Sequence, residues 1–103
     1  MEISVSGSEH DVVISLHGAF LFNSHQHFRS ILTEHLERNE GQDRLVFDLR
    51  QTDQIDSAGL GMLLLARQSA AERKRTIVLR GARGQVQRML AISKFETLFT
   101  VEP

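Results

Sequence analysis

Ile55-Asp56-Ser57-Ala58-Gly59-Leu60-Gly61-Met62-Leu63-Leu64 decides how this chain is read. Upstream, Leu45-Val46-Phe47-Asp48-Leu49 is an apolar stretch of strand length, and a short polar link separates the two. The segment after Asp56-Ser57 is apolar and long enough for a helix from residue 57 to about residue 73. A hydroxyl, that of Ser57, therefore sits where a helix begins. Helix N-termini carry unpaired N–H groups and a partial positive charge, so a phosphate or an acidic partner is welcome there. The same position suits a serine that only caps the helix.

Two glycines sharpen the question. Each costs a helix interior about 1 kcal/mol relative to alanine, so Gly59 and Gly61 need a reason. One reason is close backbone packing on a sheet or a neighbouring helix. The other is an open surface around Ser57 for an incoming protein. Spacing alone favours packing. Farther along, Leu60, Leu63 and Leu64 are enough to pack the helix on a sheet. Met62 and Leu65 then point elsewhere, against the first helix or toward a partner, and methionine adapts well to an interface.

Outward from this centre the elements alternate. Ile3 and Val5 alternate with Ser4 and Ser6 as in a half-exposed strand, and Gly7-Ser8 makes a turn. Residues 11–17 give a second strand that forms a hairpin with the first. Asn23 caps the first helix with Gln26 as its capping-box partner. Phe28, Ile31, Leu32, His35 and Leu36 form that helix's apolar stripe, and Glu40-Gly41-Gln42 ends it. Residues 45–49 are a central third strand. Residues 76–79 are a fourth strand, residues 84–92 a short helix with Val86, Met89 and Leu90 inward, and residues 98–101 a last strand. The expectation is an α/β fold over residues 1–103: one domain, a mixed sheet of four to five strands and about three helices, ordered β-β-α-β-α-β-α(-β).

Composition narrows the function. The chain has 103 residues, no cysteine and no stretch approaching a membrane span, so no disulfide, thiolate site or membrane insertion is expected. Met1-Glu2-Ile3 opens directly into a strand pattern without a basic leader, which points to the cytoplasm. Residues 1–66 hold ten acidic and four basic residues; residues 67–103 hold three acidic and eight basic ones, among them Arg67, Arg73, Lys74, Arg75, Arg80, Arg83 and Arg88. No aromatics interleave these cations and no nucleic-acid motif is present, so solvated helix ends and turns explain them. Gly-x-Ser-x-Gly fails because Ile55 stands two residues before Ser57, and no histidine is spaced as a base. His10, His17, His25, His27 and His35 have no metal-ligand spacing; Asp48 and Asp56 flank the strand-to-helix connection but make a poor metal site alone. Gly81-Ala82-Arg83-Gly84 reads as a turn, not a phosphate loop. No cofactor and no catalytic residue are expected; a binding module is.

Asp56-Ser57-Ala58-Gly59-Leu60-Gly61, preceded by the strand at residues 45–49, resembles the signature of STAS domains. Within that family it is most similar to the bacterial anti-sigma factor antagonists, over nearly the whole chain. The resemblance implies that Ser57 is phosphorylated by an anti-sigma factor or ATPase-like serine kinase and that the unmodified form binds that partner. A PP2C-like phosphatase or a response regulator would be a further partner. It places the partner surface on Asp56, Ser57, Ala58, Gly59 and Met62 with Phe20, Leu21, Asn23 and Ser24. Leu21 stands where the family often has an acid, and Ala58 where a second serine is frequent. Relatives commonly add a C-terminal helix beyond Pro103; without it Phe20, Leu21, Phe22 or Phe99 would be less covered, which favours weak self-association. The alternatives are an accessory subunit of a lipid-transport ABC complex and a scaffold subunit of a stress-sensing assembly, each with Ser57 unmodified.

Overall fold

The computed structural model describes residues 1–7, 10–38 and 44–103, with the side chains of Glu37 and Arg38 outside that description. The turn expected at Ser8 and the helix end expected at Glu40-Gly41-Gln42 lie outside the described residues. The elements are β1 (Glu2–Gly7), β2 (Asp11–Phe20), a 3-10 turn (Phe22–Ser24), α1 (His25–Arg38), β3 (Arg44–Asp48), β4 (Thr52–Ile55), α2 (Ser57–Glu72), β5 (Thr76–Arg80), α3 (Gly84–Ile92), a second 3-10 turn (Phe95–Thr97) and β6 (Thr100–Glu102).

Six strands form the sheet, one or two more than expected. Its order is β1-β2-β3-β5-β6, with β4 on β2. β1 and β2 are antiparallel, as a short connection demands; every other pairing is parallel. β2 is long enough to serve two partners. Residues 11–15 pair with β3, and after an irregularity at Gly18/Ala19 the end of the strand pairs with β4. Gly18 has φ +97°, a conformation few other residues adopt, and its N–H donates to the Gln51 carbonyl at 2.9 Å. The Thr52 hydroxyl, fully buried, donates to the Leu16 carbonyl at 2.6 Å and holds β4 in place.

The core lies between the helices and one sheet face. Val12, Ile14, Leu16, Leu45, Phe47, Ile77 and Leu79 meet Phe28, Leu32 and Leu36 of α1, Leu63 and Ala66 of α2, and Val86 and Leu90 of α3. Phe28 stacks obliquely between Phe20 and Phe47, at centroid distances of 5.0 and 5.5 Å. On the opposite face Val46 and Val78, partners in register, are also buried but stand outside this cluster. There Arg44 pairs with Asp11 at 3.0 Å and with Glu102 at 3.6 Å, and Arg80 pairs with Glu102 at 3.0 Å. The aliphatic stems of these arginines flank the two valines while their charges meet carboxylates.

Candidate functional site at the start of the second helix

The helix cap is Asp56, not Ser57. Asp56 is extended (φ −109°, ψ −177°) and Ser57 is the first helical residue. The Asp56 Oδ1 accepts the Gly59 N–H at 2.8 Å, and its Oδ2 accepts the Phe22 N–H at 3.2 Å. One carboxylate thus satisfies an orphan donor of α2, complements the positive end of the helix and clasps the turn at residues 22–24 to it. Ser57 is exposed, and its hydroxyl has no partner among the described residues.

The two glycines answer differently. Gly59 is buried, and a Cβ there would lie 2.5 Å from the Phe20 carbonyl oxygen and 2.6 Å from Ile55 Cγ1. It is a packing glycine, so a large residue at Gly59 would disrupt the fold before it blocked a partner. Gly61 is exposed, and a Cβ added there would meet nothing within 4 Å. Gly61 therefore keeps the surface beside Ser57 low.

The partner surface expected from sequence is only partly accessible. Phe20 is fully buried, and Ser24, Gly59 and Met62 are also buried, the last because it packs between the helices. Met62, Phe28, Leu32 and Leu65 line a shallow groove between α1 and α2, rimmed by His25 and Arg29. The residues that pack inward are Gly59, Leu60, Met62, Leu63, Ala66 and Ala70; Leu60 and Leu63 face inward as expected, whereas Leu64, expected to face the sheet, is exposed. Asn23 caps nothing and is exposed. Ser24 instead closes the 3-10 turn before α1: its hydroxyl accepts the Leu21 N–H and donates to the Ala19 carbonyl, both at 3.4 Å. Phe99 is buried too, whereas Phe22 is 74% exposed, over the ring of His25.

The accessible face is therefore Ser57, Gly61 and Leu65 on α2, with Ala58 half-buried beside them and Phe22 across the Asp56 clasp. Phe22 and Gly61 carry a signal in sequence only once the helix phase is known. A further residue that sequence reasoning missed is Gln85 of α3. Its Oε1 accepts the Ile55 N–H and its Nε2 donates to the Ile55 carbonyl, both at 2.9 Å, so it pairs with the end of β4 as a strand would. Asp48 is not joined to Asp56; it accepts the Arg50 N–H at 3.1 Å and pairs with that side chain at 3.3 Å. Among the described residues no three His, Asp or Glu side chains converge as a metal site, and no helix is long and apolar enough to cross a membrane.

A mixed sheet with a parallel strand feeding an exposed serine at a helix start defines the class of domain. Residues 3–101 match the family described as "Mlab, STAS domain", and the chain belongs to the STAS domain family. A STAS-domain containing protein of Pseudomonas aeruginosa (strain UCBPP-PA14) is 36% identical over 96 residues, covering 93% of this chain and 92% of its own. An anti-sigma factor antagonist from Mycobacterium paratuberculosis superposes with a TM-score of 0.85 at 17% identity, covering 99% of this chain and 85% of that one. The anti-sigma factor antagonist SpoIIAA in its unphosphorylated form superposes with a TM-score of 0.75 at 14% identity, covering 99% and 87%; the Bacillus protein is also known phosphorylated. The STAS domain of a Vibrio cholerae SulP transporter shares the fold as well, with a TM-score of 0.71 at 22% identity over 95% and 76% of the two chains.

Proposed function

We propose that this chain is a cytoplasmic anti-sigma factor antagonist switched at Ser57. In its unphosphorylated form it binds an anti-sigma factor or ATPase-like serine kinase, and phosphorylation of Ser57 releases that partner. A PP2C-like phosphatase or a response regulator would reset or tune the switch. The observation that carries the reading is the hydroxyl of Ser57, exposed and without a bond among the described residues, at the first residue of α2 beside the open Gly61. A group needed for the fold would be bonded; one offered to an enzyme would stand free.

The chemistry of the switch follows from charge. A phosphate adds about −1.5 to −2 charges and three acceptor oxygens. The helix N-terminus tolerates it, so the domain stays folded. Across an interface it meets any acidic partner group, and a buried dianion without a matching arginine costs several kcal/mol. A loss of about 4 kcal/mol weakens binding roughly a thousandfold, enough for a switch. A stable complex buries about 800 Å² on each side, so Ser57, Ala58, Gly61, Leu65 and Phe22 would form its centre and not its whole extent.

The test is intact mass spectrometry of the protein purified with and without a kinase encoded nearby, together with binding by Ser57→Ala and Ser57→Asp. Ser57→Ala should bind constitutively and Ser57→Asp weakly. If no phosphorylated species forms and Ser57→Asp binds as wild type, the switch is wrong. The STAS fold also serves transporters, and that outcome would favour an accessory subunit of a transport complex, with Ser57 a contact residue.

A further inference from the structure

We infer a second binding site, for a small organic anion with an apolar body, between the C-terminal half of α2 and the approach to β6. It is independent of the Ser57 reading. A cleft of about 360 Å³ opens there, at the small end of the range of ligand sites. Its origin is the shortness of β6. β6 pairs with β5 only from Val78 onward, so the sheet edge at Thr76 and Ile77 runs past its neighbour. The chain reaches β6 through Phe95–Thr97 and leaves a gap beside that edge.

The lining is divided by chemistry. Ala71, Ile77, Leu98 and Phe99 make an apolar floor; Arg67, Arg75 and Thr97 stand on the polar side, Thr76 and Thr100 line it from the strand edges, and among the described residues no carboxylate lines the cleft. Arg67 Nε donates to the Leu98 carbonyl at 2.8 Å, which orients the guanidinium with its Nη donors left for a ligand. Arg75 Nη1 donates to the His35 carbonyl at 3.1 Å. Exposed Arg73 and Lys74 follow α2, so part of the positive excess of residues 67–103 collects at this end. The α2 C-terminus contributes about half a negative charge, which one guanidinium outweighs. A phosphate or carboxylate would take the Arg67 fork, with its apolar body on Phe99 and Leu98. The cleft begins about 15 Å along the helix axis from Ser57, at ten residues of 1.5 Å rise.

The test is a titration of the ¹⁵N-labelled full chain, followed by amide shifts, with phenyl phosphate, benzoate, phenol and inorganic phosphate. Phenyl phosphate or benzoate should saturate with Kd of about 1 mM or tighter, shifting residues 67, 75–77 and 97–100 and leaving 57–61 unmoved. The stronger of the two names the anionic group. Phenol and inorganic phosphate should each bind at least about tenfold more weakly, one lacking the charge and the other the apolar body. Arg67→Gln, at an exposed position, should fold normally and weaken binding about tenfold, while Arg67→Lys should retain more of it. Absence of saturating shifts refutes the site, as does inorganic phosphate binding as tightly as phenyl phosphate. Undiminished binding by Arg67→Gln refutes it equally.

Discussion

Alanine in place of Gly61 should stabilise the domain, and alanine in place of Gly59, two residues away in the same helix, should destabilise it. Both substitutions gain about 1 kcal/mol of helix preference. At Gly61 nothing opposes the gain, because a Cβ meets no atom within 4 Å. At Gly59 the Cβ lies 2.5 Å from the Phe20 carbonyl oxygen and 2.6 Å from Ile55 Cγ1. The first obstacle is backbone and the second sits near the root of a fully buried side chain, so neither swings away. Relief needs α2 to move off β4 and the end of β2 by several tenths of an ångström, an overpacking cost in the upper part of the usual range, about 2–3 kcal/mol. The net expectation is a loss of about 1–2 kcal/mol for Gly59→Ala against a gain of about 1 for Gly61→Ala. For a domain of this size 1 kcal/mol moves Tm by about 4–8 °C, so the two variants should bracket wild type. Urea unfolding at constant m-value checks that both differences are of stability and not of unfolded-state compactness. The two sites separate function as well. Gly61→Arg should abolish partner binding with Tm near wild type, whereas Gly59→Arg should lower Tm steeply. If Gly59→Ala is neutral or Gly61→Ala destabilises, the packing assigned to α2 is wrong.

Gln85→Leu should cost about 2 kcal/mol, since both backbone groups of Ile55 lose their partner, and Gln85→Glu should also destabilise because a carboxylate cannot donate to the Ile55 carbonyl; thermal unfolding reads both. Thr52→Val keeps the shape but orphans the Leu16 carbonyl, for a loss of about 1–2 kcal/mol by urea midpoint. Asp56→Ala should lower stability by about 1–2 kcal/mol and, by releasing the Phe22 N–H, speed amide exchange at residues 22–24.

What sequence conveyed here was periodicity and punctuation, and what it missed was long-range pairing. The hairpin, the strands at β3 and β5 and the helix α3 announce themselves by apolar runs closed by glycine or polar turns. β4 does not: Thr52-Asp53-Gln54-Ile55 has an apolar residue only at its end, and becomes a strand because β2 continues past Gly18 to receive it. On α2 the residue misplaced is Leu64, for a related reason. α2 packs on the sheet and on α1 together, so Met62 is needed inside and Leu64 is not. Gly59, Ala66 and Ala70, seven and eleven residues apart from the first, carry the correct stripe, but small residues are weak markers of an inner face until the close approach to Phe20 and Ile55 is seen. The motif was legible as a motif; which of its two polar residues caps the helix was not, because aspartate and serine cap equally well.

That one-residue shift changes the expectation for Ser57. Had Ser57 been the cap, Ser57→Ala would cost about 1 kcal/mol and phosphorylation would compete with a bond that the helix needs. With Asp56 holding both Gly59 and Phe22, the serine hydroxyl has no structural duty among the described residues. Ser57→Ala should therefore change stability by no more than about 0.5 kcal/mol, the range of ordinary surface substitutions. The division of labour suits a switch: the residue to be modified contributes nothing to the fold, and the residue beside it supplies the fixed cap and the negative charge that a phosphate would oppose. Calorimetric unfolding of Ser57→Ala beside Asp56→Ala decides it. A destabilised Ser57→Ala with an unaffected Asp56→Ala would return the cap to Ser57 and remove the reason for reading its hydroxyl as free.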